Sequence, residues 1–209
     1  TSPVSCQSQT DTPLDKRVST VGLVQPHLEV KIINPETGET VPRGTTGELC
    51  TKGYSVMQGY WGDDARTREA IDAEGFMHTG DLATMDEEGY VNIVGRSKDM
   101  VIRGGENVYP REIEEFLYRH PRIQDVQVVG VPDQRFGEEL CAWIIAKPGQ
   151  TLDEDEVRAF CKGKIAHYKV PRYMKFVDAF PMTITGKIQK FKIRELMQQE
   201  LGLTEAKTA

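Results

Sequence analysis

Gly95-Arg96-Ser97-Lys98-Asp99 runs straight into Met100-Val101-Ile102-Arg103-Gly104-Gly105-Glu106-Asn107-Val108-Tyr109-Pro110, and the chain changes character across this stretch. Upstream the reading is β-rich. Leu28-Glu29-Val30-Lys31-Ile32 alternates apolar and polar residues, as a half-buried strand does. Asn34-Pro35-Glu36-Thr37-Gly38 is a turn, since Pro fixes φ and Gly admits a positive φ. Residues 48–52 and 89–94 are further strand candidates bounded by glycines, with one helix expected near Asp64 to Asp72.

Downstream of the stretch, strands and helices alternate. Pro110 suits the first position of a helix, Ile113, Phe116 and Leu117 give it an apolar face, and Pro121 stops it. Residues 127–131, 140–146 and 173–177 read as strands. Thr151 and Glu154 have the spacing of a capping box, ahead of a helix with Val157, Phe160, Cys161 and Ile165 on one side. A last helix is expected from Lys190 to Leu201, with Ile193, Leu196, Met197 and Leu201 inward. The expected fold class is α+β: residues 1–97 a β-rich module, read as a distorted barrel, and residues 98–209 a small α/β domain.

The chain has 209 residues, 38% hydrophobic and 28% charged, which fits an ordinary globular protein of one or two domains. Its longest apolar runs fall far short of the roughly 20 residues of a membrane-spanning helix, so no transmembrane segment is expected. No basic start followed by an apolar stretch is present. The opening at Thr1-Ser2-Pro3, without Met, leads to the expectation of a piece of a longer protein. Cys6, Cys50, Cys141 and Cys161 form no Cys-x-x-Cys pair, and His27, His78, His120 and His167 show no metal-ligand spacing. No metal site is therefore expected from spacing, and a reducing compartment fits.

The net charge of −6 is uneven. Residues 1–97 hold 8 Lys/Arg against 15 Asp/Glu, whereas residues 98–209 hold 18 against 17. Within 158–194 there are 10 basic residues and a single acid, Asp178. Such a stretch is either a solvated lysine face or a surface for an anionic partner. Tyr168, Tyr173 and Phe176 interleave with its lysines, but they fit a strand and its flank better than stacking platforms, so no nucleic-acid partner is expected.

Four glycine-anchored motifs remain: 79–82 (Thr-Gly-Asp-Leu), 95–99 (Gly-Arg-Ser-Lys-Asp), 103–107 (Arg-Gly-Gly-Glu-Asn) and 181–187 (Pro-Met-Thr-Ile-Thr-Gly-Lys). Taken singly, each has an ordinary reading. Asp81 caps a turn, Arg96 is a surface ion-pair partner, Gly104-Gly105 is a tight hairpin turn, and Lys187 is one more solvated lysine.

In this order and spacing, together with Gly47-Glu48-Leu49 and Gly59-Tyr60-Trp61, the series resembles the C-terminal portion of the adenylate-forming superfamily. That superfamily holds acyl- and aryl-CoA synthetases, peptide-synthetase adenylation domains and firefly luciferase. The resemblance covers nearly the whole chain. The wording Gly-Gly-Glu-Asn-Val-Tyr-Pro is most similar to the medium-chain fatty acyl-CoA ligases.

The resemblance implies ATP and coenzyme A as co-substrates of a fatty acid, with magnesium (Mg2+) ligands expected upstream of Thr1. It implies Asp81 and Arg96 as nucleotide-binding residues on the ribose, and Lys98 as the hinge between residues 1–97 and 98–209. It implies Gly104 and Gly105 as the loop admitting the coenzyme A arm. Lys187 is implied to be catalytic and nucleotide-binding, offsetting the repulsion between carboxylate and α-phosphate.

The family's Pro-Lys-ended phosphate loop is not found in these residues; Gly44-Thr45-Thr46-Gly47 mimics only its centre. This chain alone is thus expected to be nearly inactive. Open alternatives are an acyl-adenylate passed to a carrier protein or used oxidatively, and a non-catalytic interaction module. A cytoplasmic location is expected, with the mitochondrial matrix as the alternative.

Overall fold

The computed structural model describes residues 4–203. It divides into two compact units, Thr1–Lys98 and Asp99–Ala209.

In the first unit, β1 (Cys6–Gln7), α1 (Leu14–Ser19) and β2 (Leu23–Val24) precede β3 (Leu28–Ile33) and β4 (Gly47–Gly53). Then come α2 (Asp64–Ala70), β5 (Met77–Met85), β6 (Val91–Arg96) and a single 3-10 turn, Ser97–Asp99. β3, β4, β5 and β6 form an antiparallel sheet in that order. It is open at both edges, so the expected distorted barrel is not closed; the α+β class holds. Ile32, Leu49, Ala83 and Val91 fill one cluster on this sheet, and Ile33, Cys50 and Phe76 another. The predicted turn after β3 is present: Asn34 Oδ1 accepts the Glu36 amide at 2.8 Å, and the Gly38 amide donates to the Asn34 carbonyl at 2.8 Å. Asp63 caps α2 by accepting the Arg66 amide at 3.0 Å.

The second unit runs β7 (Val101–Arg103), β8 (Glu106–Val108), α3 (Pro110–Leu117), β9 (Ile123–Asp133), β10 (Gly137–Ala146), α4 (Glu154–Cys161), β11 (Tyr173–Phe176) and α5 (Lys190–Leu201). β10 is central. It pairs antiparallel with β9 along its length, parallel with β11, and with β7 at Gly137–Arg103.

Alternation along β9 and β10 sends successive residues to opposite faces. Val126, Val128, Leu140, Ala142 and Ile144 join Ile113 and Leu117 of α3 and Val157 and Cys161 of α4. Val129, Val131, Cys141 and Trp143 join Phe180 and Ile193 and Met197 of α5. Helices on both faces explain why these strands read as near-continuous apolar runs.

Several expectations are corrected. α4 is capped not by a Thr151–Glu154 box but by Asp153, which accepts the Glu156 amide at 2.9 Å. Thr151 lies two residues too early to reach the first turn. In α5 only Ile193 and Met197 are buried; Leu196 and Leu201 are 45% and 37% exposed, because the sheet takes a narrower stripe than the apolar residues offer. β6 begins at Val91, since Gly89 (φ 91°) belongs to the preceding turn.

Candidate nucleotide site, hairpin and lysine loop

The first motif lies in β5, a strand the sequence reading did not predict. Its pairing with β4 is regular at Met77–Thr51 and His78–Cys50 and again at Leu82–Glu48, so Leu49 alone spans the bulged residues 79–81. Gly80 makes the bulge possible with φ of +71°, a conformation most side chains avoid. Three hydrogen bonds hold it. Thr79 Oγ1 donates to the Leu49 carbonyl at 2.7 Å and accepts the Asp81 amide at 3.1 Å. Glu48 Oε1 accepts the Gly80 amide at 3.0 Å.

Asp81 faces Arg96 of β6 across the sheet. Arg96 Nε donates to Asp81 Oδ1 at 3.0 Å, with the two side chains 56% and 32% exposed. The structure thus brings together the two residues predicted to meet the ribose. Each has capacity to spare: one carboxylate oxygen and the terminal guanidinium nitrogens are not used in this contact. Two residues on, Ser97 Oγ donates to the Gly80 carbonyl at 3.2 Å, tying the end of β6 to the bulge. Lys98 is exposed in the 3-10 turn, the last residue of its unit.

Gly104 and Gly105 form the two-residue turn between β7 and β8, with Arg103 paired to Glu106. Their φ values of +60° and +86° are those of a type I′ hairpin turn. A Cβ on Gly104 would lie 3.1 Å from the Phe136 ring, whereas one on Gly105 would meet nothing within 4 Å. The Gly104 amide donates to the Phe136 carbonyl at 2.8 Å.

At the hairpin's base, Arg103 grips Glu139 of β10 through two hydrogen bonds, 2.8 Å from Nε and 2.6 Å from Nη2. Glu139 is 1% exposed. The hydrogen bonds to Glu139 raise the Arg103 pKa still further, so the guanidinium stays charged. Removing one partner strands a buried charge. Glu139→Ala should therefore destabilise this unit by about 3–5 kcal/mol, read as a fall in the midpoint of chemical denaturation. Beside the hairpin a cavity of about 220 Å³ is lined by Arg103, Phe136, Glu139, Arg158, His167 and Arg172.

Lys187 stands on a loop fastened at both ends. Met182 and Ile188 form a β-bridge, and the Gln189 amide donates to the Pro181 carbonyl at 2.8 Å. Thr183 acts as an internal clasp: its amide donates to the Lys187 carbonyl at 2.8 Å, and its Oγ1 accepts the Lys187 amide at 3.0 Å. The Lys187 side chain is exposed and makes no ion pair among the described residues.

Three residues on, Lys190 Nζ donates to Glu114 Oε1 at 2.6 Å, and the same oxygen accepts the Val128 amide at 2.7 Å. This buried carboxylate anchors the start of α5 to α3 and β9. The sequence reading missed it, because a single Glu on an amphipathic helix carries no signal of its partner across the core.

Spacing also missed Glu48, Cys50 and His78, each of which offers one potential ligand atom within 4.8 Å of the others. Strand pairing, not sequence proximity, gathers them. The donors do not suit Mg2+, which prefers oxygen. Burial, with the charge of Glu48 second, pushes the Cys50 thiol up to about 12, so its sulfur stays protonated at neutral pH. A hydrogen bond does the joining instead: His78 Nδ1 lies 3.0 Å from Glu48 Oε2.

Comparison with known proteins identifies the family. Residues 1–61 match the AMP-binding enzyme family and residues 112–187 the AMP-binding enzyme C-terminal domain. The chain is 56% identical over 205 residues to the putative acyl-CoA synthetase YngI of Bacillus subtilis, covering 98% of this chain and 37% of that protein. It is 53% identical over 202 residues to the mitochondrial medium-chain acyl-CoA ligase ACSF2 of Rattus norvegicus, covering 97% of this chain and 33% of that one. The chain thus spans about a third of the length of these relatives. The ATP-bound structure of MatB from Rhodopseudomonas palustris superposes with a TM-score of 0.89 at 38% identity, over 95% of this chain and 39% of MatB. Among the described residues no helix is long and apolar enough to cross a membrane. The chain belongs to the AMP-binding, adenylate-forming family that includes the acyl-CoA synthetases.

Proposed function

We propose that the whole protein carrying these residues is an AMP-forming fatty acyl-CoA ligase. The observation that carries the reading is the Asp81–Arg96 pair, set on a glycine bulge in a chain of this family. In the first step a fatty-acid carboxylate oxygen attacks the α-phosphorus of ATP; pyrophosphate leaves and acyl-AMP forms. In the second the coenzyme A sulfur attacks the acyl carbonyl, its proton is lost, and AMP leaves.

Asp81 accepts the ribose hydroxyls, and Arg96 holds the Asp81 carboxylate in place while its free nitrogens reach the ribose and phosphate. Lys187, exposed and without a counter-charge among the described residues, offsets the repulsion between the two anionic reactants. The Gly104-Gly105 turn lets the coenzyme A arm pass close to backbone, and Arg103, Arg158 and Arg172 supply cationic character to the cavity beside it. Lys98, at the boundary between the units, absorbs the dihedral change that alternates lysine loop and hairpin. Mg2+, whose ligands the family resemblance assigns to residues outside this stretch, would supply charge neutralisation on the phosphates.

A medium-chain acyl substrate is supported by the name of the rat relative. The four free thiols fit a reducing compartment, the cytoplasm or the mitochondrial matrix.

The test is steady-state release of AMP and pyrophosphate by the full-length protein with a medium-chain fatty acid, ATP and coenzyme A. Asp81→Ala should raise KM for ATP by about thirtyfold, the loss of a hydrogen-bonded charge. No fatty-acid-dependent AMP release by the parent, or an unchanged KM in the variant, would sink the reading.

A further inference from the structure

We propose that Glu48 is the positioning residue for Asp81, acting through the backbone of Gly80. This rests on Asp81 being the ribose carboxylate.

Glu48 sits on β4 opposite the end of the bulge, with its side chain 14% exposed. A carboxylate so sheltered costs desolvation free energy unless its oxygens are hydrogen bonded. Both are, and to different partners. Oε1 accepts the Gly80 amide at 3.0 Å, and Oε2 faces His78 Nδ1 at 3.0 Å. On the other side of the His78 ring, Asp72 Oδ2 lies 3.6 Å from Nε2. Glu48 therefore spans the two residues of β5 that flank Thr79, the residue that itself clasps the Asp81 amide.

Gly80 adopts a left-handed φ and immediately precedes Asp81, so a change in its dihedrals swings the Asp81 carboxylate directly. Glu48 is the one side-chain acceptor of the Gly80 amide among the described residues, and Gly80 itself has no register partner in β4 or β6. Without Glu48 that amide loses its acceptor, and glycine, the most permissive residue, has no side chain to restrain it.

The experiment uses the full-length protein, with KM for ATP and kcat measured separately and the thermal midpoint recorded for each variant. Glu48→Ala should raise KM for ATP about tenfold while kcat at saturating ATP changes far less. Glu48→Gln keeps a side-chain carbonyl for the Gly80 amide and an amide group for His78, and should restore KM to near the parent value. Glu48→Asp keeps the charge but withdraws it by one methylene, and should behave like Glu48→Ala; it carries the test if the alanine variant does not fold.

In the double variant, Glu48→Ala should add nothing to Asp81→Ala, because both remove the same contact. Multiplying effects, a parent-like KM for both Glu48→Ala and Glu48→Asp, or failure of Glu48→Gln to restore KM would each overturn the positioning role while leaving Asp81 in place. An unchanged KM for Asp81→Ala alone would remove the ribose reading and this inference with it.

Discussion

Lys187→Ala in the full-length protein is expected to slow acyl-adenylate formation by about a hundred- to a thousandfold, the cost of removing one preorganised group from a charge-crowded transition state. Thioester formation from supplied acyl-AMP should stay near the parent rate. The asymmetry follows from where charge develops. Carboxylate and α-phosphate approach only in the first step, so a cation between them has nothing to offset in the second. The variant should fold normally, since the side chain is exposed and the loop is fastened by backbone groups and Thr183 rather than by the ammonium. Fatty-acid-dependent pyrophosphate release reports the first step, and acyl-CoA appearance from acyl-AMP the second. Equal losses in both assays would refute the assignment.

Gly105→Leu should leave pyrophosphate release largely intact and cut acyl-CoA formation by about a hundredfold, as displaced reacting groups typically do. Two causes are mixed in this variant. A leucine at φ of +86° strains the type I′ turn, and its side chain occupies space beside the backbone. Gly105→Asn separates them, because Asn tolerates the left-handed region and keeps the turn. Among the described residues, apart from its chain neighbours, no atom lies within 4 Å of a Cβ placed there, so an effect of Asn reports obstruction of a ligand rather than of the fold. A parent-like Gly105→Asn with an impaired Gly105→Leu would assign the glycine to turn geometry alone.

Much of the second unit was legible before the structure: Pro110 and the 113, 116, 117 spacing located α3. In the first unit the Asn34–Gly38 turn followed from Pro and Gly chemistry. What escaped were features that depend on partners distant in sequence. β5 has no clean alternation because its centre is a bulge whose hydrogen bonds come from Glu48 and Leu49, some 30 residues away. Leu196 and Leu201 read as inward because helical periodicity gives an apolar arc but not how much of it the sheet will cover. The proposed site residues were singled out by family wording, and the Gly104-Gly105 turn by its own chemistry as well. Their supports, Glu48, Glu114 and Glu139, carry no local signal: a buried acid is recognisable only once its cation or amide is in view.

Every member of the apolar clusters beneath the β3–β6 sheet has a number of 93 or lower, and every member of the two clusters around β10 a number of 101 or higher. A crossover placed in the Ser97–Asp99 turn thus splits no cluster between parents. Recombination between related genes at this point trades one intact interior for another. It offers evolution, or an engineer, a seam at which the segment bearing the lysine loop can be exchanged with the apolar clusters on each side left whole.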